Sequence, residues 1–92
     1  VYTLDWIHKK EISCIAVDNI AVERLPSEID GEFIPFHQIA IRDIGLSLGE
    51  IFTFGELAKD CAGDGAYEFL WVAPPLNIPH AVGSPLNALA IK

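Results

Sequence analysis

Three histidines, two cysteines and thirteen carboxylates are the side chains of this 92-residue chain that could bind a metal or move a proton. The best chemical lead is His37 with Glu50. They lie in the stretch F-I-P-F-H-Q-I-A-I-R-D-I-G-L-S-L-G-E, which runs from Phe33 to Glu50. An inward imidazole followed by a strand carboxylate suits two tasks, proton transfer and ligation of a divalent cation. The plainer reading of His37 is a core histidine whose ring nitrogens are satisfied by backbone or by a carboxylate. That of Glu50 is an ordinary carboxylate at a strand end. Asp18, Asn19 and Glu23 could face the same pocket, although turn capping explains the first two as well.

The remaining reactive residue types carry less. His8 falls in the last turn of a short helix, where a cation answers the helix dipole. His80 sits in a Pro/Gly loop and is expected to be exposed. Cys14 lies in an apolar strand and Cys61 on an apolar helical face, so both read as buried free thiols of a reducing, cytoplasmic compartment. No C-x-x-C occurs, which disfavours a thiolate zinc site. Ser84 has no histidine at a motif spacing, and Gly63 and Gly65 match no phosphate loop.

Positioning His37 and Glu50 requires a helix, a stop and a strand. Pro35 suits an early helical position through its fixed φ and missing N–H. At about 100° per residue, Phe36, His37, Ala40, Ile41 and Ile44 share one apolar arc. Gln38, Arg42 and Asp43 fall opposite, and Ile39 is the one misfit. Gly45 is placed to cap the helix C-terminus, and Leu46 to Phe52 reads as the strand.

Around this stretch the order is regular. Thr3 is placed to cap a helix from Leu4 to about Lys10 with Leu4, Ile7 and Trp6 on its apolar side. Glu11 to Asp18 reads as a strand covered on both faces. Asn19 to Glu32 is a connection with turn chemistry at Leu25-Pro26-Ser27 and Asp30-Gly31. Thr53 and Glu56 form a T-x-x-E capping box for a helix packing through Phe54, Leu57, Ala58 and Cys61. Tyr67 to Ala73 is the strongest strand, stopped by Pro74-Pro75, and Leu86 to Ile91 is the last. These elements predict one α/β domain over residues 1–92, a mixed sheet of four to five strands with two to three helices.

Six basic and thirteen acidic residues give a net charge of −7, with no Lys/Arg stripe, so nucleic-acid binding is not expected. No apolar run approaches the ~20 residues that span a bilayer, and no signal peptide is visible. Hydrophobic residues make up 51% of the chain and mean hydropathy is +0.34. A chain of this size buries only about 60–65% of its unfolded surface. The apolar surplus therefore predicts a homo-oligomer, or a missing N-terminal segment that covers the exposed surface. Val1 reads as following a removed initiator or tag, or as an internal start.

From Trp6 onward the chain resembles the C-terminal part of the metal-dependent cyclase family, which includes bacterial kynurenine formamidases and isatin hydrolase-like enzymes. The resemblance is carried by W-I-H-K-K-E-I at 6–12, A-V-D-N at 16–19 and V-E-R-L-P-S at 22–27. It continues through P-F-H at 35–37, I-R-D-I-G-L-S-L-G-E at 41–50 and L-A-K-D-C-A-G-D-G-A-Y-E-F-L-W-V-A-P-P-L at 57–76, and ends with V-G-S-P-L-N-A-L-A-I-K at 82–92. Ala88 departs from it, since relatives often carry Pro there.

The resemblance implies the C-terminal portion of a swivelling β/β/α fold. It also implies a metal site to which this part contributes His37, as ligand or in proton transfer, and Glu50. The family's H-x-G-T-H-x-D motif, whose two histidines and aspartate are the principal ligands, does not occur in this sequence. The expectation is thus a truncated kynurenine formamidase-like protein that is not catalytic alone and folds as an oligomeric module. No cofactor is expected in this chain by itself, and zinc or manganese if a complete site is assembled. The alternative is an amide (C–N) hydrolase half-site working with a partner segment that supplies the missing ligands.

Overall fold

A computed structural model describes all 92 residues. The chain forms two compact units, Val1–Thr53 and Phe54–Lys92. No helix is long and apolar enough to cross a membrane.

The first unit begins with helix α1 (Leu4–Lys9) and strand β1 (Cys14–Ala16). After a long connection come helix α2 (Pro35–His37), a π-helical continuation (Gln38–Asp43) and strand β2 (Ser47–Gly49). β1 and β2 pair in parallel, in the register Cys14↔Ser47, Ile15↔Leu48, Ala16↔Gly49. Parallel neighbours need a crossover of a dozen or more residues, and the connection with its helical segment supplies it. Backbone bonding extends past β2. The N–H groups of Ile51 and Phe52 donate to the carbonyls of Asn19 (3.0 Å) and Val17 (3.1 Å). This holds the segment carrying Glu50 against the exit from β1.

The core of this unit is Leu4 and Ile7 from α1, Phe36 and Ala40 from the helical segment, and Leu46, with Val1, Ile12, Ile15, Val22, Ile39, Ile44 and Leu48 packed around it. Pro35 is buried at the first position of α2, and Gly45 adopts φ +68° after the helical segment, as its C-terminal stop requires. The apolar arc differs from the expected one. Ile39 packs on the core, whereas Ile41 is exposed. The cause is the π winding, seen in the bond from the Ile44 N–H to the Ile39 carbonyl at 3.2 Å. An i→i+5 turn is wider than the 3.6-residue turn assumed from periodicity, so positions after His37 rotate away from their α-helical places.

The second unit holds helix α3 (Gly55–Asp64) and strands β3 (Leu70–Val72) and β4 (Leu89–Ile91). The strands pair antiparallel with Trp71 opposite Ala90. Gly65, at φ +72°, ends α3 by donating to the Cys61 carbonyl. Trp71 lies 6.2 Å from Phe54 and 6.4 Å from Phe69, between ring centroids. Lys92 Nζ reaches Asp60 (2.9 Å) and Asp64 (2.8 Å) on α3.

Several expectations are corrected. The single sheet of four to five strands is instead two sheets of two strands each. Each strand keeps three residues, because a ladder persists only where a neighbour offers matching donors and acceptors. β1 has a single neighbour and is not covered on both faces throughout, and Cys14 is exposed; only Cys61 is a buried thiol. Trp6 is more than half exposed, unlike Leu4 and Ile7. The Thr53 capping box does not form. Phe54 holds the cap position of α3, and no side chain caps that end. Thr3 does precede α1, but its hydroxyl makes no capping bond.

Candidate functional site

His37 is the last residue of α2, just before the winding changes to π. Its side chain is 17% exposed, and both ring nitrogens meet carboxylates. Nδ1 lies 2.6 Å from Glu23 Oε1, and Nε2 lies 3.0 Å from Glu50 Oε1. Glu50 directly follows β2, whose end is fixed by the parallel ladder. Its Oε1 also accepts the Val22 N–H at 2.9 Å. Gly49, which precedes it, lies against the Phe52 ring: a Cβ there would come within 2.5 Å of that ring. Immediately after Glu50, Ile51 takes φ +60°, a region that β-branched residues rarely enter.

Glu23 comes from the connection between β1 and α2, and only 7% of its side chain is exposed. Its two oxygens accept the Phe36 and His37 N–H groups, each at 3.0 Å, as well as facing Nδ1. Burial pushes the Glu23 carboxyl up. The His37 ring and the two backbone N–H groups outweigh that, and the net displacement is below the ordinary glutamate range.

The chemistry follows from the donor inventory. A carboxylate only accepts, so the 2.6 Å contact with Glu23 is a hydrogen bond when Nδ1 carries the proton. At Nε2, a nitrogen and a carboxylate oxygen stand 3.0 Å apart, an approach that needs a proton or a cation between them. A proton on Nε2 meets that need, and so would a divalent cation. An imidazole nitrogen and a carboxylate oxygen are suitable donors for zinc or manganese, and a carboxylate on the other ring nitrogen is the usual support of a ligating histidine. The pair thus fits two positions of a metal's shell. It does not make a full one, as no group of three or more His, Cys, Asp or Glu side chains is arranged to hold an ion.

His37 also borders an apolar depression of about 330 Å³ lined by Ile34, Gln38, Ile41 and Arg42. Beside Glu23 lies a cavity of about 50 Å³, room for water rather than an organic ligand.

The structure brings His37 and Glu50 together and adds Glu23, which the sequence marks only as a residue able to face a pocket. No periodic signal singles out a carboxylate in an irregular connection, so only the fold could identify it. Asp18 and Asn19 are exposed, and Asn19 contributes its carbonyl to the Ile51 N–H. His8 and His80 are exposed. Ser84 Oγ accepts the Leu76 N–H at 3.0 Å, a loop contact.

No family model matches the chain, and no curated protein matches it. Among solved structures, one described as a novel cyclase matches all of this chain with a TM-score of 0.88 and 50% sequence identity. The chain spans 29% of the length of that protein. Half of the residues are thus identical across the full 92 positions, on the same backbone path, so the chain is similar throughout to part of a cyclase.

Proposed function

We propose that this chain carries one side of a metal-dependent hydrolase site of the kind found in kynurenine formamidase-like enzymes. The observation that carries the reading is the line Glu23–His37–Glu50, with a carboxylate on each ring nitrogen. His37 Nε2 and Glu50 Oε1 are two ligand atoms, and Glu23 holds the Nδ1 proton. A bound zinc or manganese ion would lower the pKa of water and polarise the carbonyl of an amide or formyl-amide substrate. Catalytic metals of this type take about three protein ligands and keep one position open. The missing donors then come from a segment bearing H-x-G-T-H-x-D, and the 92 residues alone are not catalytic. The architecture is read as part of a swivelling β/β/α fold.

A second observation supports an assembled state. Tyr2, Ile20 and Phe33 are each more than three-quarters exposed, an unusual load for so short a chain. A homo-oligomer, or a segment of the same enzyme, would cover them.

Calorimetric titration with zinc and with manganese tests the metal reading. The wild type is expected to bind weakly, His37→Ala to lose binding at least tenfold, and an added H-x-G-T-H-x-D segment to tighten it. Absence of binding, or indifference to His37→Ala, would sink this reading. Light scattering at high concentration tests assembly, and a monodisperse species of 10.1 kDa would refute it.

A further inference from the structure

We infer that Glu23 is the positioning residue of this site: its carboxylate holds His37 with the proton on Nδ1 and turns Nε2 toward Glu50. The inference rests on the half-site reading above, in which Nε2 is the working atom. Three hydrogen bonds converge on this one carboxylate. Two come from the backbone N–H groups of Phe36 and His37, and the third from the His37 ring. Glu23 therefore sets both where the helix begins and where the ring that leaves it points. Rotation of the ring breaks the Nδ1 bond, and a shift of the helix start breaks the other two.

Solvent competes poorly for these bonds, since the Glu23 side chain is nearly buried. The opposite neutral tautomer is the less favoured of the two, because it would press the Nδ1 lone pair against a carboxylate oxygen at 2.6 Å, closer than the 3.0 Å contact at Nε2. The neighbouring residue completes the arrangement. The Val22 N–H fixes Glu50 Oε1 at 2.9 Å, so the dipeptide Val22-Glu23 holds both partners of the ring. Ligating histidines in general donate their other ring N–H to such a group, and its loss typically weakens metal binding by about 10–100-fold. A loop residue supplies that group here.

The test is proton–nitrogen NMR on the whole chain labelled at its histidine rings. Wild-type protein is expected to show a downfield, slowly exchanging Nδ1–H proton on His37. That signal exists whether or not Nε2 also carries a proton. In Glu23→Gln it should become fast-exchanging and shift upfield, and a parallel titration with Zn²⁺ alone should show binding about 10–100-fold weaker than wild type. A wild-type His37 with no proton on Nδ1 overturns the inference, and this outcome is measured on wild-type protein, with no variant required to fold. So does an Nδ1–H signal, or a zinc affinity, unchanged in Glu23→Gln. The half-site reading fails separately: zinc binding that ignores His37→Ala removes it while leaving the hold of Glu23 on the ring intact.

Discussion

Val1–Thr53 and Phe54–Lys92 are comparable in hydrophobic patterning, yet they use it differently. Five of the six buried apolar residues, Leu4, Ile7, Phe36, Ala40 and Leu46, belong to the first unit, and Cys61 is the one in the second. The polar groups divide along the same line. In the first unit, Glu23, His37 and Glu50 are sheltered and bonded to one another and to backbone. In the second, Lys92 meets Asp60 and Asp64, whose side chains are more than half exposed. The longest unbroken run resembling the cyclase family, Leu57 to Leu76, lies in the second unit, while the chemistry lies in the first. Resemblance over a long run thus pointed to the cyclases, and the sheltering of polar groups located the site.

The contrast is sharpest in the core. Leu46→Ala should cost about 2–5 kcal/mol of unfolding free energy in urea denaturation. Leu57→Ala, at a half-buried position of α3, should cost less than half of that. Equal losses would mean that the two units are built alike.

Glu23→Gln should follow, at about 1–3 kcal/mol near neutral pH, since a sheltered network loses an acceptor. Its pH dependence has a definite sign. The folded-state pKa of Glu23 lies below the unfolded value of about 4.3. The contribution is therefore complete above that value and fades as pH falls through the folded pKa. Wild type and Glu23→Gln should converge in stability toward pH 3, and a gap that is constant from pH 7 to pH 3 would contradict the assignment.

A smaller effect of opposite direction is expected at Ile51. A β-branched residue at φ +60° carries about 1–2 kcal/mol of strain, and the entropy of glycine returns about half of that. Ile51→Gly should raise stability by up to ~1 kcal/mol in thermal or chemical melts. His80→Gly, in a second-unit loop at φ +63°, should gain less, because histidine enters this region more readily.

The smallest effect belongs to the charges on α3. The hydrogen bond from Lys92 holds the Asp64 carboxyl below the ordinary aspartate range. The Asp64 side chain is more than half exposed, which leaves the interaction open to screening by salt. Lys92→Ala should change stability less than Glu23→Gln does, and that change should vanish at 1 M salt. A salt-independent loss would place this cluster with the sheltered polar groups of the first unit.

How much was legible follows from the range of the signal. Pro35, Gly45 and Gly65 act through their own backbone angles, so their roles could be read locally. The inward histidine was legible from its apolar neighbours, and its pairing with Glu50 from strand and helix order. Ile39 and Ile41 exchanged places because the π turn is stabilised by bonds that span the Ile39–Ile44 segment and by the Leu46 N–H, which donates to the Ala40 carbonyl. Cys14 looked buried because an apolar run implies two covered faces, and in this structure Cys14 is left exposed at the start of β1.

By itself the amino-acid sequence determined the order of elements, the helix stops, the acidic and apolar balance, and the likeness to cyclases through its runs of shared residues. Those are properties of neighbours along the chain. Tertiary structure alone decided that Glu23 closes the site, that the expected sheet is two separate ribbons, and which nitrogen of His37 faces which carboxylate. Each of these depends on groups 13 or more positions apart meeting within hydrogen-bond distance, and no local pattern encodes that meeting.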